Sequence, residues 1–362
     1  MARLRLAVIG VGHLGKEHAR ILASLPEVEL VGVADTNPEQ AQAVARRCGT
    51  TAYTNYWPLL NLVDAAIIAV PTKYHFDITK EFLSRSIPVL VEKPLALNLE
   101  QATGLVDLAE QHRTILQVGH IERFNPAFEA LGQRPLQPKF IEGQRLGPFT
   151  GRSTDIGAVL DLMIHDLDLL LSLVPAPVRA VEAIGTTLFG GHEDVVNARL
   201  VFANGCVANL TASRASPRPL RQMRVWAPEG YASLDFAAKR LTLVQPSARL
   251  RQHLQGEAGA ERGRGAIPIR EPLQSHLHYQ SIEGQPGDQL TRELQHFVAC
   301  VRQGQRPRVS GVEGRDAIAL ATRVLDSVHH HQWEGDPTGP VGPFQLPRPL
   351  GPLFRLPEDE AA

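Results

Sequence analysis

The stretch that decides the fold is Leu4-Arg-Leu-Ala-Val-Ile9, followed by Gly10-Val-Gly12-His13-Leu14-Gly15. A mostly apolar run of strand length leads here into a G-x-G-x-x-G pattern that opens a helix, which is the context of a dinucleotide-binding turn. Gly10 allows the tight turn, Gly12 lets the backbone approach a pyrophosphate, and Gly15 lets helix and strand pack closely. The N-terminus of the helix favours phosphate charge. We therefore predict a cofactor site that contains Gly10, Gly12, His13, Leu14 and Gly15.

A carboxylate follows the second predicted strand. Asp35 lies twenty residues beyond Gly15, where it can accept hydrogen bonds from both hydroxyls of an adenosine ribose. Its charge would repel a 2′-phosphate, and the next residues, Thr36 and Asn37, offer no arginine to hold one. NAD is therefore predicted over NADP. The alternative is that the glycines form an ordinary turn and that Asp35 is a carboxylate at a strand end.

Apolar runs alternate with amphipathic helical stretches through the first third of the chain. Predicted strands, which show little alternation and so belong to a buried sheet, span residues 4–9, 29–34, 65–70, 88–91 and 115–119. Predicted helices span residues 12–24, 38–47, 75–84 and 98–111, with Asn37 and Asn98 as N-caps. This rhythm is typical of βαβ units and predicts an α/β fold that begins with a Rossmann doubly wound parallel sheet.

From about residue 123 the pattern changes to a helix over 161–173 and then successive strands over 180–187, 194–202, 206–212, 221–227 and 231–236. We predict an α+β domain with a mainly antiparallel open sheet and with later helices over 289–303 and 314–330. The polar segment 249–274 is expected on the surface. The predicted domains are residues 1–122, for NAD binding, and 123–333, for substrate binding and oligomerisation. Residues 334–362 hold seven of the 27 prolines and are predicted to form a tail on the surface or a disordered one.

Composition excludes several classes of function. The 362 residues include 37 Lys and Arg against 38 Asp and Glu, so no positive excess is available to hold nucleic acid or an anionic membrane. No apolar run approaches the roughly 18 residues that a membrane helix requires. Three distant cysteines, Cys48, Cys206 and Cys300, indicate neither a disulfide framework nor a thiolate metal site. A reducing cytoplasm fits this usage.

Two segments carry candidate catalytic residues. Lys93, in Glu92-Lys93-Pro94, follows a parallel strand at the sheet edge where ligands bind, so it can stabilise negative charge on a reacting hydroxyl. Asp161 and His165 are four residues apart on a helix, so the carboxylate can orient the imidazole. The alternatives are that Lys93 is a solvent-exposed loop lysine and that Asp161 and His165 only satisfy each other's hydrogen bonds. Without a third ligand at a recognisable spacing, no metal site is predicted.

Together these motifs resemble the Gfo/Idh/MocA oxidoreductases over about residues 4–330. The order of the glycine pattern, Asp35, Pro71-Thr72-Lys73-Tyr74-His75, Glu92-Lys93-Pro94, Gly119 with Arg123-Phe124-Asn125-Pro126, and Asp161 to Asp168 carries the resemblance. The resemblance implies that Lys93, Asp161 and His165 form the catalytic group. It also implies a cofactor site that includes Pro71, Thr72, His75, Glu92 and Lys93. Two departures are Val70-Pro71-Thr72, where the family usually has Thr-Pro-Asn, and Met163, where a glycine is common.

Within the family, residues 119–126, 147–153 and 161–166 look like the branch that oxidises C3 of UDP-N-acetylglucosamine in the synthesis of a lipid A 2,3-diamino sugar. By that resemblance, substrate contacts are expected from Lys93, Arg123, Asn125, Arg152, Asp161 and His165. Arg123, Arg145 and Arg152 are candidates for contacts with a diphosphate, although an arginine at a sheet edge is more often a structural clamp. The expected chemistry is hydride transfer from a secondary sugar hydroxyl to NAD, with His165 or Lys93 taking the proton.

Two other functions stay open from the sequence. One is dehydrogenation of inositol or a free sugar by the same chemistry. The other is a non-catalytic regulatory protein that binds NAD. In each case the expected ligand is a small molecule, and pairing of the open sheet predicts a homodimer or homotetramer.

Overall fold

The first domain is built on a six-stranded sheet. Its strands are β1 (Leu4–Ile9), β2 (Val28–Ala34), β3 (Thr51–Tyr53), β4 (Ala65–Ile68), β5 (Val89–Glu92) and β6 (Leu116–Gly119). In the computed structural model, which describes residues 2–151, 155–189, 191–248, 250, 276–283, 287–334 and 338–345, all pairs are parallel and the order is β3-β2-β1-β4-β5-β6. The predicted Rossmann sheet is confirmed. The order reverses between β1 and β4, which puts a ligand crevice at their carboxyl ends.

Four helices cover this sheet: α1 (Gly15–Ser24), α2 (Pro38–Cys48), α3 (His75–Leu83) and α4 (Leu99–Gln111). The Asn37 side chain accepts a hydrogen bond from the Gln40 amide at 3.1 Å, and the Asn98 side chain accepts one from the Gln101 amide at 2.9 Å. Both predicted N-caps are therefore present. Each cap satisfies an amide that the helix cannot bond internally, and this local chemistry fixes where α2 and α4 begin.

The second domain contains a nine-stranded sheet. Its strands are β7 (Phe140–Leu146), β8 (Val178–Thr187), β9 (Val195–Phe202), β10 (Val207–Ser213), β11 (Leu220–Ala227), β12 (Gly230–Asp235), β13 (Arg240–Pro246), β14 (Leu277–Glu283) and β15 (Phe344–Gln345). Their order is β14-β13-β12-β11-β7-β10-β9-β8-β15, and the pairs are antiparallel except β7 with β10 and β8 with β15. The predicted mainly antiparallel sheet is confirmed. The sequence did not predict β7, β13, β14 or β15.

One face of this sheet packs on helices α5 (Pro126–Gly132) and α6 (Ile164–Leu173). A single π-helical turn, Val159–Met163, leads directly into α6. Wide turns of this kind are frequent at functional sites. The predicted helix over 161–173 therefore exists, but its first turn is wider than an α-helix.

Two C-terminal helices tie the domains together. Helix α7 (Gln289–Gln303) packs on the first sheet through Leu294 and Phe297, although its sequence follows the second sheet. Helix α8 (Gly311–His330) packs on both domains: Ile318 lies in the hydrophobic core of the first domain and Val324 in that of the second. Division of the chain near residue 122 stays a prediction. The packing shows that the chain returns to the first sheet after residue 288.

Some predictions fall on residues outside the described part of the chain. These are the substrate contact of Arg152, the surface position of 249–274 apart from Leu250, and the tail at 335–337 and 346–362. Within the tail, residues 344–345 pair with β8 at the edge of the second sheet. In the described ranges no helix combines the length and the apolar character needed to cross a membrane.

Candidate active site

The glycine turn after β1 has the geometry that a dinucleotide requires. Gly10 has a φ of +81°, and a Cβ there would lie 2.6 Å from the Ala69 carbonyl oxygen. A Cβ on Gly15 would overlap the carbonyl oxygen of Gly10, so the start of α1 can approach the turn closely only with glycine. A Cβ on Gly12 would have its nearest neighbour, Gln40 Nε2, 4.0 Å away, so this side of the turn leaves room for a ligand. These residues fit the pyrophosphate of NAD at the N-terminus of α1.

Asp35 connects this turn to α2. Its Oδ2 accepts from the Val11 amide at 2.9 Å, and its Oδ1 accepts from the Asn37 amide at 2.9 Å. Gln40 completes the connection by donating to the Val11 carbonyl at 2.7 Å. Each carboxylate oxygen keeps a lone pair for a ribose hydroxyl. The position of Asp35 therefore fits the predicted role, and Leu14, the N-cap of α1, is exposed.

A second loop, after β4, approaches the same edge of the sheet. Pro71 precedes a 3₁₀ turn that begins at the buried Thr72. His75 is buried, with Nδ1 2.7 Å from the Pro94 carbonyl and Nε2 2.9 Å from the Val70 carbonyl. Burial lowers the pKa of His75. Both ring nitrogens lie against backbone carbonyls, so His75 links two loops, and its contact with the cofactor stays a prediction.

Glu92 supports the lysine that follows it. Its Oε1 lies 2.7 Å from Nε2 of the buried His18 on α1. Burial alone would raise the pKa of Glu92, but the hydrogen bond from His18 and the charge of Lys93 outweigh it and hold the pKa below its ordinary value. Glu92 is itself buried, so it fixes the end of β5 from inside the domain.

Lys93 reaches across to the second domain. Its Nζ donates to the backbone carbonyl of Asp161 at 2.7 Å and to Asp161 Oδ1 at 3.0 Å. The side chains are 15% and 21% exposed, so the pair lines a crevice rather than a free surface. Asp161 lies in the π-helical turn, which presents both its carbonyl and its carboxylate to the lysine. The structure thus brings together two of the three residues assigned to catalysis.

His165 lies one turn beyond Asp161, at the start of α6. Its Nδ1 is buried and has no hydrogen-bond partner among the described residues. Burial, followed by the charges of Lys93 and Arg145, lowers the pKa of His165 well below its ordinary value, so the ring is neutral at pH 7. The hydrogen bonds of Asp161 go to Lys93, so the expectation that Asp161 orients His165 is wrong in this structure.

His120 is a site residue that sequence analysis missed. It is buried at the end of β6, and its ring stands at 89° to that of His165 with 6.2 Å between centroids. Neither ring nitrogen has a hydrogen-bond partner in the described ranges. The pairing of Glu92 with Gly119 puts His120 beside Lys93 at the same sheet edge. That position after a parallel strand is the signal that could have identified it.

His120 should make folding sensitive to acid. Burial, then the charges of Arg123 and Lys93, lowers its pKa to about 3, against about 6.5 in an unfolded chain. Between these values only the unfolded state binds a proton, so the free energy of unfolding falls as pH falls, by about 1.4 kcal/mol per pH unit for this group. We expect the free energy of unfolding, measured with urea at several pH values in that range, to depend less steeply on pH in His120→Phe than in the native chain. The same pH dependence in both proteins would contradict the lowered pKa of His120.

The arginines predicted to meet a diphosphate are largely used inside the protein. Arg145 is buried and donates to Glu122 Oε1 at 2.8 Å and to the two carboxylate oxygens of Asp166 at 2.9 and 3.1 Å. Arg123 Nε lies 3.2 Å from Asp168, whose pKa burial raises to about 7 against the opposing charge of Arg123. Arg145 is therefore a structural clamp, the alternative that the sequence had favoured.

Asn125 also has a structural position. Its Oδ1 accepts from the Ala127 amide at 3.1 Å and caps α5. Its Nδ2 lies within 3.1 Å of Glu122, of the Phe236 carbonyl and of Gln289. The side chain is fully buried with its amide group in use, so the predicted substrate contact is withdrawn. Within the described ranges, no group of three or more His, Cys, Asp or Glu residues is placed to hold a metal ion.

Two family models match the chain: residues 4–120 match an oxidoreductase family with an NAD-binding Rossmann fold, and residues 129–233 match a GFO/IDH/MocA C-terminal domain. UDP-N-acetylglucosamine 3-dehydrogenase from Acidithiobacillus ferrooxidans is 34% identical over 329 residues, covering 91% of this chain and 98% of that protein. A solved structure of that enzyme has a TM-score of 0.79, covering 90% of this chain and 98% of the other. scyllo-Inositol 2-dehydrogenase (NAD(+)) from Bacillus subtilis is 29% identical over 346 residues, covering 90% and 94%. Levoglucosan dehydrogenase, solved with NADH and L-sorbose, shares the fold at 18% identity with a TM-score of 0.75, covering 90% and 97%.

Proposed function

Because this chain belongs to the Gfo/Idh/MocA family of NAD-dependent oxidoreductases, we propose that it oxidises C3 of UDP-N-acetylglucosamine to the 3-keto sugar. The observation that carries the proposal is the meeting of Lys93, from the first domain, with Asp161, from the second, one helical turn before His165. Similarity to UDP-N-acetylglucosamine 3-dehydrogenase over nearly the whole chain supports this choice of sugar. In the reaction, NAD supplies the acceptor for the hydride that leaves the sugar carbon.

Lys93 is the proposed donor to the reacting oxygen. An ammonium group carries three hydrogens, and two of them are donated to the carbonyl and carboxylate of Asp161. The third can be donated to the sugar oxygen as its O–H bond breaks and negative charge develops. Asp161 thereby aims the lysine, since its two contacts leave the ammonium one direction free.

His165 is the proposed base. Burial of Nδ1 leaves Nε2 as the ring nitrogen that can take the hydroxyl proton. The low pKa of His165 keeps the ring unprotonated before substrate binds, as a base requires. Of the two assignments that the sequence left open, the structure therefore favours His165 as proton acceptor and Lys93 as hydrogen-bond donor.

A panel of alcohols tests the substrate. We expect purified protein with NAD to form NADH with UDP-N-acetylglucosamine at a kcat/KM at least about tenfold above that with myo-inositol, scyllo-inositol or free N-acetylglucosamine. Mass spectrometry of the product should show loss of two hydrogens from the sugar, and borodeuteride reduction should place the label at C3. Turnover of inositols alone would overturn the proposal.

Inositol is the second candidate substrate, and one observation favours it. Arg145 and Arg123, both expected at a diphosphate, face buried carboxylates instead. The similarity to scyllo-inositol 2-dehydrogenase runs along 90% of the chain. The third function that the sequence left open, a non-catalytic regulatory protein, is set aside because the similar proteins of the family are sugar dehydrogenases.

The cellular setting belongs to the same proposal. We place the enzyme in the cytoplasm, where it would supply a 3-keto nucleotide sugar to an aminotransferase on the way to lipid A. We also propose that the enzyme assembles into a homodimer or homotetramer through the open second sheet, as the sequence predicted.

A further inference from the structure

Arg221 occupies an unusual place on the second sheet. It is the second residue of β11 and lies directly opposite Arg145 of β7. Directly opposite residues of an antiparallel pair share one face. The next pairs on that face, Met223 with Gly143 and Val225 with Ile141, are buried under the helices. Arg221 is nevertheless exposed, so the helices that bury these pairs do not cover it.

Arg221 has no ion-pair partner at contact distance among the described residues, although its charge acts at longer range on Asp166. Two like charges directly opposite each other destabilise a sheet. Arg145 is neutralised by Glu122 and Asp166, but the side chain of Arg221 makes no hydrogen bond or ion pair with any described residue. Its backbone is held, because the Arg221 carbonyl accepts from the Phe236 amide at 3.0 Å. Arg221 therefore combines a held backbone with a guanidinium that makes no hydrogen bond to a described residue.

This guanidinium lies near the reacting group. Arg145 reaches Asp166, the residue immediately after His165, and Arg221 is the cross-strand neighbour of Arg145. In agreement with that position, the charge of Arg221 is one of those that lower the pKa of His165. A ligand whose alcohol meets His165 would bring its next functional group toward Arg221.

We propose that Arg221 binds a phosphate group of the substrate and so selects a nucleoside diphosphate sugar over a neutral polyol. The planar guanidinium matches a phosphate with two parallel hydrogen bonds, which a lysine does not provide. This inference rests on the proposed nucleotide-sugar substrate. It assigns recognition of the diphosphate to a residue that the sequence motifs did not include.

Arg221→Met tests the inference, with Arg46→Met as the matched control. Arg46 is exposed near the end of α2, and α2 starts at the cofactor edge and runs to the opposite edge of the sheet. We expect Arg221→Met to raise KM for UDP-N-acetylglucosamine and Ki for UDP about 10- to 100-fold, the range for a charged hydrogen bond. KM for NAD and kcat/KM for free N-acetylglucosamine should stay unchanged. Arg221→Lys should recover only part of the UDP affinity.

The arms of this experiment separate the inference from the function on which it rests. If the native enzyme oxidises UDP-N-acetylglucosamine and Arg221→Met behaves like Arg46→Met, the inference is overturned and the function stands. If the native enzyme does not oxidise that sugar but binds UDP through Arg221, the proposed substrate is wrong and the phosphate site stands. A circular dichroism melt confirms folding of each variant, and UDP inhibition at rising salt should weaken less for Arg221→Met than for the native enzyme.

Discussion

Replacing Lys93 with methionine is expected to lower kcat about 10²- to 10⁴-fold while NAD still binds. Methionine keeps most of the length of the side chain but removes every donor, so the developing oxyanion loses its hydrogen bond. The two contacts with Asp161 are lost as well, which leaves the carbonyl in the π-helical turn without its partner. Steady-state formation of NADH measures the first effect, and fluorescence titration with NADH measures cofactor affinity.

Lys80→Met is the control for this variant. Lys80 lies on α3, is exposed, and has its ammonium 5.9 Å from the ring of Phe76. It should keep full activity. If Lys93→Met retained activity within tenfold of the native enzyme, the catalytic assignment of Lys93 would be untenable.

Replacing Arg145 with methionine is expected to reduce the free energy of unfolding by about 3–5 kcal/mol, because two buried carboxylates would lose their cation. Arg145 donates to both Glu122 and Asp166, and all three side chains are at most 4% exposed. Urea unfolding followed by circular dichroism measures the change. The triple variant Arg145→Met, Glu122→Gln, Asp166→Asn should recover much of the loss, since no buried charge would remain unpaired.

Arg224→Met is the matched control for the Arg145 variant. Arg224 of β11 pairs with Glu142 of β7, the strand that carries Arg145, but these side chains are 41% and 33% exposed. An exposed pair of this kind contributes about 0–1 kcal/mol. Equal losses in Arg145→Met and Arg224→Met would contradict the difference that burial implies.

Local chemistry explains what could be predicted from the sequence. The requirement for glycine at residues 10 and 15 arises within one turn, and the caps at Asn37 and Asn98 act on amides three residues away. Lys93 could be assigned because the end of a parallel strand has a known relation to the ligand crevice. These features depend on neighbours in sequence or on a general rule of the fold.

The roles of the arginines could not be predicted, because they depend on strand register. Arg145 and Arg221 are separated by 75 residues, and their sequence surroundings do not show that they face each other. Asn125 has the same difficulty, since its partners Phe236 and Gln289 lie 111 and 164 residues further along the chain. Strands such as β7 escaped prediction because Gly143 and polar residues interrupt the apolar pattern. A Cβ on that glycine would lie 2.6 Å from the Leu210 side chain, so a larger residue there would displace Leu210 of β10.

The number of residues in the π-helical turn at 159–163 determines whether Asp161 faces Lys93. Such a turn contains one more residue than an α-helical turn, and each residue of an α-helix rotates the chain by about 100° around the helix axis. Deleting a single residue from this turn could leave α6 buried as before while Asp161 swings away from Lys93. Insertions and deletions, which enzymes of this size usually tolerate in surface loops, would here disable the enzyme without unfolding it. The family alignment at this point should therefore show constant spacing even where the residues differ.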